Sequence, residues 1–203
     1  MHRPLHFLFS SLARLPWGAL YALSSGLFFV LYYLVRYRRA LVFRNLTNAF
    51  PEKSRGEIQE ISKQFYRNFC DQIVETIKLL RATSEEISAR FQVDSTVYES
   101  LHAQGRNVLQ ATAHQFNWEW GNWILNRHTS FTIRIIYMMV GSQSMERIIN
   151  DYRLRHGSQL IPANDLSALL QDTEHLSLTV FLADQNPSDR KRAQWELFFG
   201  RVV

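Results

Sequence analysis

The sequence predicts an α/β fold: a mixed, largely parallel sheet flanked by helices, preceded by a membrane-associated N-terminal helix. Three observations carry that expectation. Short β-rich runs alternate with helical ones from residue 107 onward. A well-signalled amphipathic helix precedes them. Before that helix, 21 consecutive uncharged residues, "LPWGALYALSSGLFFVLYYLV", lie between Arg14 and Arg36.

The apolar run comes first along the chain. It is about as long as a hydrocarbon core is thick in helical rise. Trp17 and the Tyr32-Tyr33 pair sit near its ends, where amphipathic rings favour the headgroup zone. Its distal end, "YYLVRYRR", lacks the small residues of a signal-peptidase site. Residues 1–50 are therefore expected to attach the chain to a membrane, either spanning it or lying in its interface. Residues 51–203 are expected to form the α/β domain.

Charge supports that division. The chain carries a net +5, which would suggest nucleic acid if it were spread evenly. It is not spread evenly. Residues 1–50 hold Arg3, Arg14, Arg36, Arg38, Arg39 and Arg44 with no Asp or Glu, and the remainder is close to neutral. A basic segment that is also the most apolar one prefers an anionic bilayer surface to a phosphodiester backbone, so no nucleic-acid partner is expected. The arginines just after the apolar run place the following domain on the cytoplasmic side. The single Cys70 rules out an internal disulfide and fits a reducing compartment.

The amphipathic helix opens with a capping box, Ser54 with Glu57. Ile58, Ile61, Phe65, Phe69, Ile73, Ile77 and Leu80 follow at intervals of three or four and predict its buried stripe. A second box, Thr83 with Glu86, starts a shorter helix. Then come the strand-like "NVLQATA", "FTIRIIYMM", "LIP" and "LSLTVFLAD", separated by helical patterns over 117–127, 143–155 and 166–174. "NPSDRKRAQ" reads as a polar loop, and "WELFFG" as a last apolar run.

The stretch that invites chemistry is "ATAHQFNWEWGNW". In sheets of this class, sites lie beyond the carboxyl ends of strands, and His114 follows directly on "NVLQATA". On one continuous helix, five residues would leave His114 and Glu119 about 140° apart. They can meet if His114 lies in the strand-to-helix turn and Glu119 in the first helical turn, with Asn117 as N-cap. There the helix dipole also favours a carboxylate. The pair reads either as a base with its orienting partner or as a hydrogen-bonded histidine among aromatics. No H-E-x-x-H suggests zinc, and no G-x-S-x-G offers a serine nucleophile.

"HQFNWE" resembles the H-x-x-N-W-E form of the H-x4-D/E motif in the lysophospholipid acyltransferase superfamily, in its lipid A biosynthesis (lauroyl/myristoyl) branch. "YRRALVFRNLTNAFPEKS", "FYRNFCDQIVETIKLL", "YRLRHGSQLIP", "FLADQNP" and "FFG" resemble further blocks of that family in the same order. The resemblance implies a glycerolipid acyltransferase-like fold, with His114 as general base and Glu119 as its orienting partner. It implies substrate-binding roles for Arg153, Asp184 and Asn117, with backbone amides at the Asn117 helix start or Arg153 as donors for an oxyanion. An acyl chain would pass from an acyl-carrier-protein or coenzyme A thioester to a hydroxyl of a membrane glycolipid, a lipid A precursor, with no metal or cofactor. The acyl groove would be lined by some of Phe116, Trp118, Trp120 and Trp123. The expected place is the cytoplasmic side of a bacterial inner membrane, with acyl carrier protein as partner. A lysophospholipid or aminolipid acceptor is the alternative. Family members are usually about a third longer, so a C-terminal truncation is expected, and with it the alternative of an inactive membrane-anchored fragment.

Overall fold

The computed structural model describes residues 2–115, 117–138, 143–167, 169, 175–184, 195–198 and 201–202. The chain packs as two units, one of Met1–Arg14 with Thr76–Asp184, the other of Leu15–Glu75 with Gln185–Val203.

The first unit contains α1 (His2–Leu12), α5 (Ser84–Ser88), α6 (Thr96–Ala103) and a four-stranded sheet. Its strands are β1 (Val108–Thr112), β2 (Thr132–Tyr137), β3 (Gln159–Pro162) and β4 (Ser177–Leu182). They lie in the order β1-β4-β2-β3, and every neighbouring pair is parallel. Helices α7 (Trp118–His128) and α8 (Gln143–Arg155) make the crossovers from β1 to β2 and from β2 to β3. The α/β class read from the sequence is realised here, and this sheet is wholly parallel.

Position in the sheet explains each strand's composition. The central strands β2 and β4 are covered on both faces, whereas the edge strand β1 alternates between half-buried and exposed. Ile133, Ile135, Leu178 and Val180 form one face and pack with Leu125 and Phe131. Ile133 and Leu178 are fully buried, so truncating either to alanine costs about 2–5 kcal/mol. Intervening residues put polar groups on the opposite face, where buried Arg134 donates to Gln159 on β3 at 3.1 Å.

The second unit contains α2 (Trp17–Phe29), which continues through a π-helical turn (Val30–Leu34), then α3 (Arg39–Ala49) and most of α4 (Arg55–Lys78). Trp17–Leu34 is long and apolar enough to cross a membrane, with mean hydropathy 1.4 over 18 residues. It is not surrounded by apolar groups on every side. Ser24 donates to Asp71 at 2.5 Å and Tyr21 to Glu75 at 3.0 Å, both on α4. Tyr66 stacks edge-on against Tyr32, at 5.4 Å between centroids, and donates to the Tyr37 carbonyl.

Both predicted capping boxes form. Glu57 accepts from the Ser54 amide at 2.8 Å and donates its own amide to Ser54 Oγ at 3.3 Å. Thr83 and Glu86 exchange the same pair of bonds. The buried line on α4 differs from the predicted stripe. It runs Ile58, Ser62, Tyr66, Cys70 and Val74, whereas Phe65 is 46% exposed. The inward row is set by its partners: Tyr66 meets the Tyr32 ring and the Tyr37 carbonyl, and Asp71 and Glu75 beside that row accept from Ser24 and Tyr21. Burial also pushes the Cys70 thiol pKa up, with Asp71 adding to the rise, as suits a packing residue. Strands β5 (Leu197–Phe198) and β6 (Arg201–Val202) form a separate antiparallel pair. The predicted helix over 166–174 and the loop "NPSDRKRAQ" fall largely outside the described residues.

Candidate active site

The sheet register builds the site. Strands β1 and β4 are parallel neighbours in which each residue of β1 lies beside the one 70 positions later, from Val108 with Leu178 to Thr112 with Leu182. The pairing continues one step past the strands, where the Ala183 amide donates to the Thr112 carbonyl at 2.8 Å. Two residues beyond each strand end, the same register sets His114 beside Asp184.

They are bonded twice. The His114 amide donates to Asp184 Oδ2 at 2.8 Å, and His114 Nδ1 lies 2.6 Å from Oδ1. A carboxylate accepts only, so Nδ1 carries the proton and Nε2 is the basic nitrogen of the neutral ring. Burial alone would raise the Asp184 carboxyl. The ring bond, the amide bond and the imidazole's charge outweigh it and hold the group below the usual carboxylate range. Both side chains remain accessible, at 29% and 37%. The indole of Trp118 meets the imidazole edge-on, 4.8 Å between centroids.

Glu119 lies in the first turn of α7, as the spacing predicts, but serves another residue. Arg153, near the end of α8, donates Nε to Oε2 at 3.1 Å and Nη2 to Oε1 at 2.5 Å. This two-pronged pair is nearly closed to solvent, with side-chain exposures of 13% for Arg153 and 7% for Glu119. The direct His114–Glu119 hydrogen bond expected from the motif is replaced by two separate pairs. The physical reason lies in burial: a guanidinium packed between two helices requires a counter-charge, and Glu119 faces inward, where it supplies one. Arg153 also reaches Asn150 at 3.5 Å, so its guanidinium braces α8 against α7. Asn117 occupies the predicted N-cap position, but its side chain makes no capping hydrogen bond.

A family comparison covers nearly the whole chain. The family model of bacterial lipid A biosynthesis acyltransferases matches residues 5–201. The chain belongs to that family. No curated protein matches the sequence. Membership in the lipid A acyltransferase family implies an acyl-transferring enzyme with a lipid acceptor and an acyl donor. The open histidine–carboxylate pair at the strand ends is the group in the described structure best suited to deprotonating a hydroxyl.

Sequence reasoning missed the ladder behind that pair. Glu119, Trp123 and Asn126 lie at helical spacing along α7 and bond to residues at the end of α8 and just beyond. Trp123 Nε1 donates to His156 Nδ1 at 3.0 Å, and Asn126 Nδ2 to Ser158 Oγ at 2.8 Å. His156 therefore presents an unprotonated Nδ1. Its pKa is lowered, first by burial and then by Arg155 and Arg127. Trp120 and Trp123 are buried, at 4% and 3% exposed, and Trp123 is bound into the ladder. Of the tryptophans expected to line an acyl groove, Trp118 is the one beside His114, and Phe116 lies outside the described residues. The i, i+4, i+7 spacing of the polar and indole groups was the available signal for the ladder, read by the motif as a site rather than as an interface.

Proposed function

We propose that the protein transfers a fatty acyl chain from a carrier thioester to a hydroxyl of a lipid A precursor, with His114 as general base. His114 Nε2 takes the proton as the hydroxyl oxygen attacks the thioester carbonyl. The tetrahedral intermediate collapses, the C–O bond remains, the C–S bond breaks, and the thiolate recovers a proton from the imidazolium. Asp184 keeps the proton on Nδ1 and stabilises the transient imidazolium, the role of the buried carboxylate in a serine-hydrolase triad. Amides at the N-terminus of α7 are offered to the oxyanion. Glu119 acts through Arg153, fixing α7 and with it those amides.

One observation carries this reading: an accessible imidazole, oriented by a carboxylate at the adjacent strand end, in a chain matching the family from residue 5 to 201. Either an acyl-carrier-protein or a coenzyme A thioester would serve as donor. The proposed setting is the cytoplasmic face of a bacterial inner membrane, with residues 1–50 as the attachment segment. The bonds from Ser24 and Tyr21 to the carboxylates of the charged helix α4 favour a helix lying in the interface over one crossing it.

The test is a transfer assay on detergent-solubilised protein, with acyl-carrier-protein thioester as donor and a lipid A precursor and a lysophospholipid offered in competition. Transfer to the glycolipid that is lost in His114→Ala is the expected result. Preferential transfer to the lysophospholipid would reassign the acceptor. Equal activity in wild type and His114→Ala would remove the base.

A further inference from the structure

The second unit holds a cleft of about 800 Å³ that plays no part in the site above. Arg36, Arg39, Arg44 and Arg55 line it, with Asn48 and Gln59 beside them and no acidic residue. None of the four arginines has an ion-pair partner among the described residues. Arg39 is held in place by Tyr32, whose ring lies 4.4 Å from its guanidinium carbon and whose carbonyl accepts from Nη1 at 3.5 Å. Four cations converging on a concave surface repel one another, and an anion would relieve that repulsion.

The backbone adds to the field. Arg36 and Arg38 both adopt left-handed conformations, with φ of 53° and 50°, a costly state for residues with a Cβ. That turn sets Arg36 beside the start of α3. The first turn of α3 has no acidic residue, and its N-cap Arg38 makes no side-chain capping bond, so the positive end of the helix dipole adds to the arginines. Guanidinium groups pair with phosphate oxygens in two-pronged fashion.

The neighbouring surface indicates which anion. The segment leading into the cleft leaves Phe29, Leu34 and Val35 54%, 65% and 61% exposed, and Tyr33 and Tyr37 are exposed as well. An apolar surface of this kind belongs against acyl chains, with the arginines at headgroup level. We propose that the Arg36–Arg39–Arg44–Arg55 cleft binds the phosphate group of a membrane lipid headgroup, seating the second unit on phosphate-bearing lipid. This assignment is independent of the reaction at His114.

The experiment uses the full chain in neutral detergent micelles, titrated with phosphatidic acid, with oleic acid as a phosphate-free anionic lipid, and with inorganic phosphate. Binding is read as a shift in unfolding temperature. Wild type is expected to be stabilised saturably by phosphatidic acid and much less by the other two. Arg44→Gln combined with Arg55→Gln should weaken that binding roughly 25-fold, about fivefold for each arginine. Thr47→Glu, which sets a carboxylate on an exposed position of the cleft, should weaken it comparably and serves where the double variant melts early without lipid. Unchanged affinity in variants that melt like wild type would overturn the proposal. Equal stabilisation by oleic acid would reduce it to bulk charge, and equal stabilisation by inorganic phosphate would make it a soluble-anion site.

Discussion

Asp184 and Glu119 are both carboxylates that hold a cationic or basic partner, and they meet opposite conditions. Asp184 is open to solvent and holds a titratable imidazole; Glu119 is closed off and holds a permanently charged guanidinium. An accessible His–Asp pair can exchange a proton with a bound molecule without breaking the fold. A buried Arg–Glu pair can do neither: protonating or removing one partner strands the other in a poor solvent. Motif spacing treats His114 and Glu119 as one device, whereas the geometry divides them between an accessible His114–Asp184 pair and a buried Glu119–Arg153 pair.

The sharpest way to break this division is at the base. His114→Ala should lower acyl transfer by about 10²–10⁴-fold while leaving the unfolding midpoint within about 1 kcal/mol of wild type. Loss of both activity and fold would show the imidazole to be structural.

Glu119→Ala should behave in the opposite way. Stranding Arg153 is expected to cost about 3–5 kcal/mol of stability, measured by chemical denaturation. Arg153→Met combined with Glu119→Leu should recover much of that loss, because the buried charges are then gone together. If Glu119→Ala abolished transfer at unchanged stability, Glu119 would instead be the imidazole's catalytic partner.

Asp184→Asn tests the open pair alone. An amide can donate to Nδ1 and so favours the wrong tautomer. Transfer should fall about 10²-fold or more, with a stability change under about 1 kcal/mol because the pair is exposed. The pH dependence follows from the lowered carboxyl pKa. The pair's small stabilisation is present above the unfolded carboxylate value and is lost as pH falls through the lowered folded value.

What was legible in the sequence was local. The strand runs are β-branched and short, and both capping boxes declare themselves within four residues. The place of β4 between β1 and β2 is a pairing across 70 positions, and no local pattern carries it. That is why the nearest carboxylate in sequence was expected at His114, and why Asp184 was reached through resemblance alone. The α4 stripe shifted for a related reason: hydrophobicity picks out Phe65, but the inward row is set by long-range partners, the Tyr32 ring and the Tyr37 carbonyl that meet Tyr66. The arginine-rich arm was evident from composition, whereas its convergence into a cleft required the turn at Arg36 and Arg38.

The smallest expected effect belongs to the closed side and arises from His156. Its folded pKa is lowered by burial and by two nearby arginines, so the folded state prefers the neutral ring whose Nδ1 accepts from Trp123. The resulting stabilisation is fully present above the unfolded histidine value of about 6.5. It is lost as pH falls from there through the lower folded value, by no more than about 1.4 kcal/mol for each pH unit that separates the two. Denaturant midpoints across that window should therefore decline in wild type. In His156→Gln, a side-chain carbonyl can still accept from the indole but nothing titrates, so the decline should flatten to what the carboxylates contribute. An identical slope in both proteins would mean that the α7–α8 ladder tolerates a cation at this position. The contrast between the accessible pair and the closed one would then rest on the buried, mutually paired Glu119 and Arg153 alone.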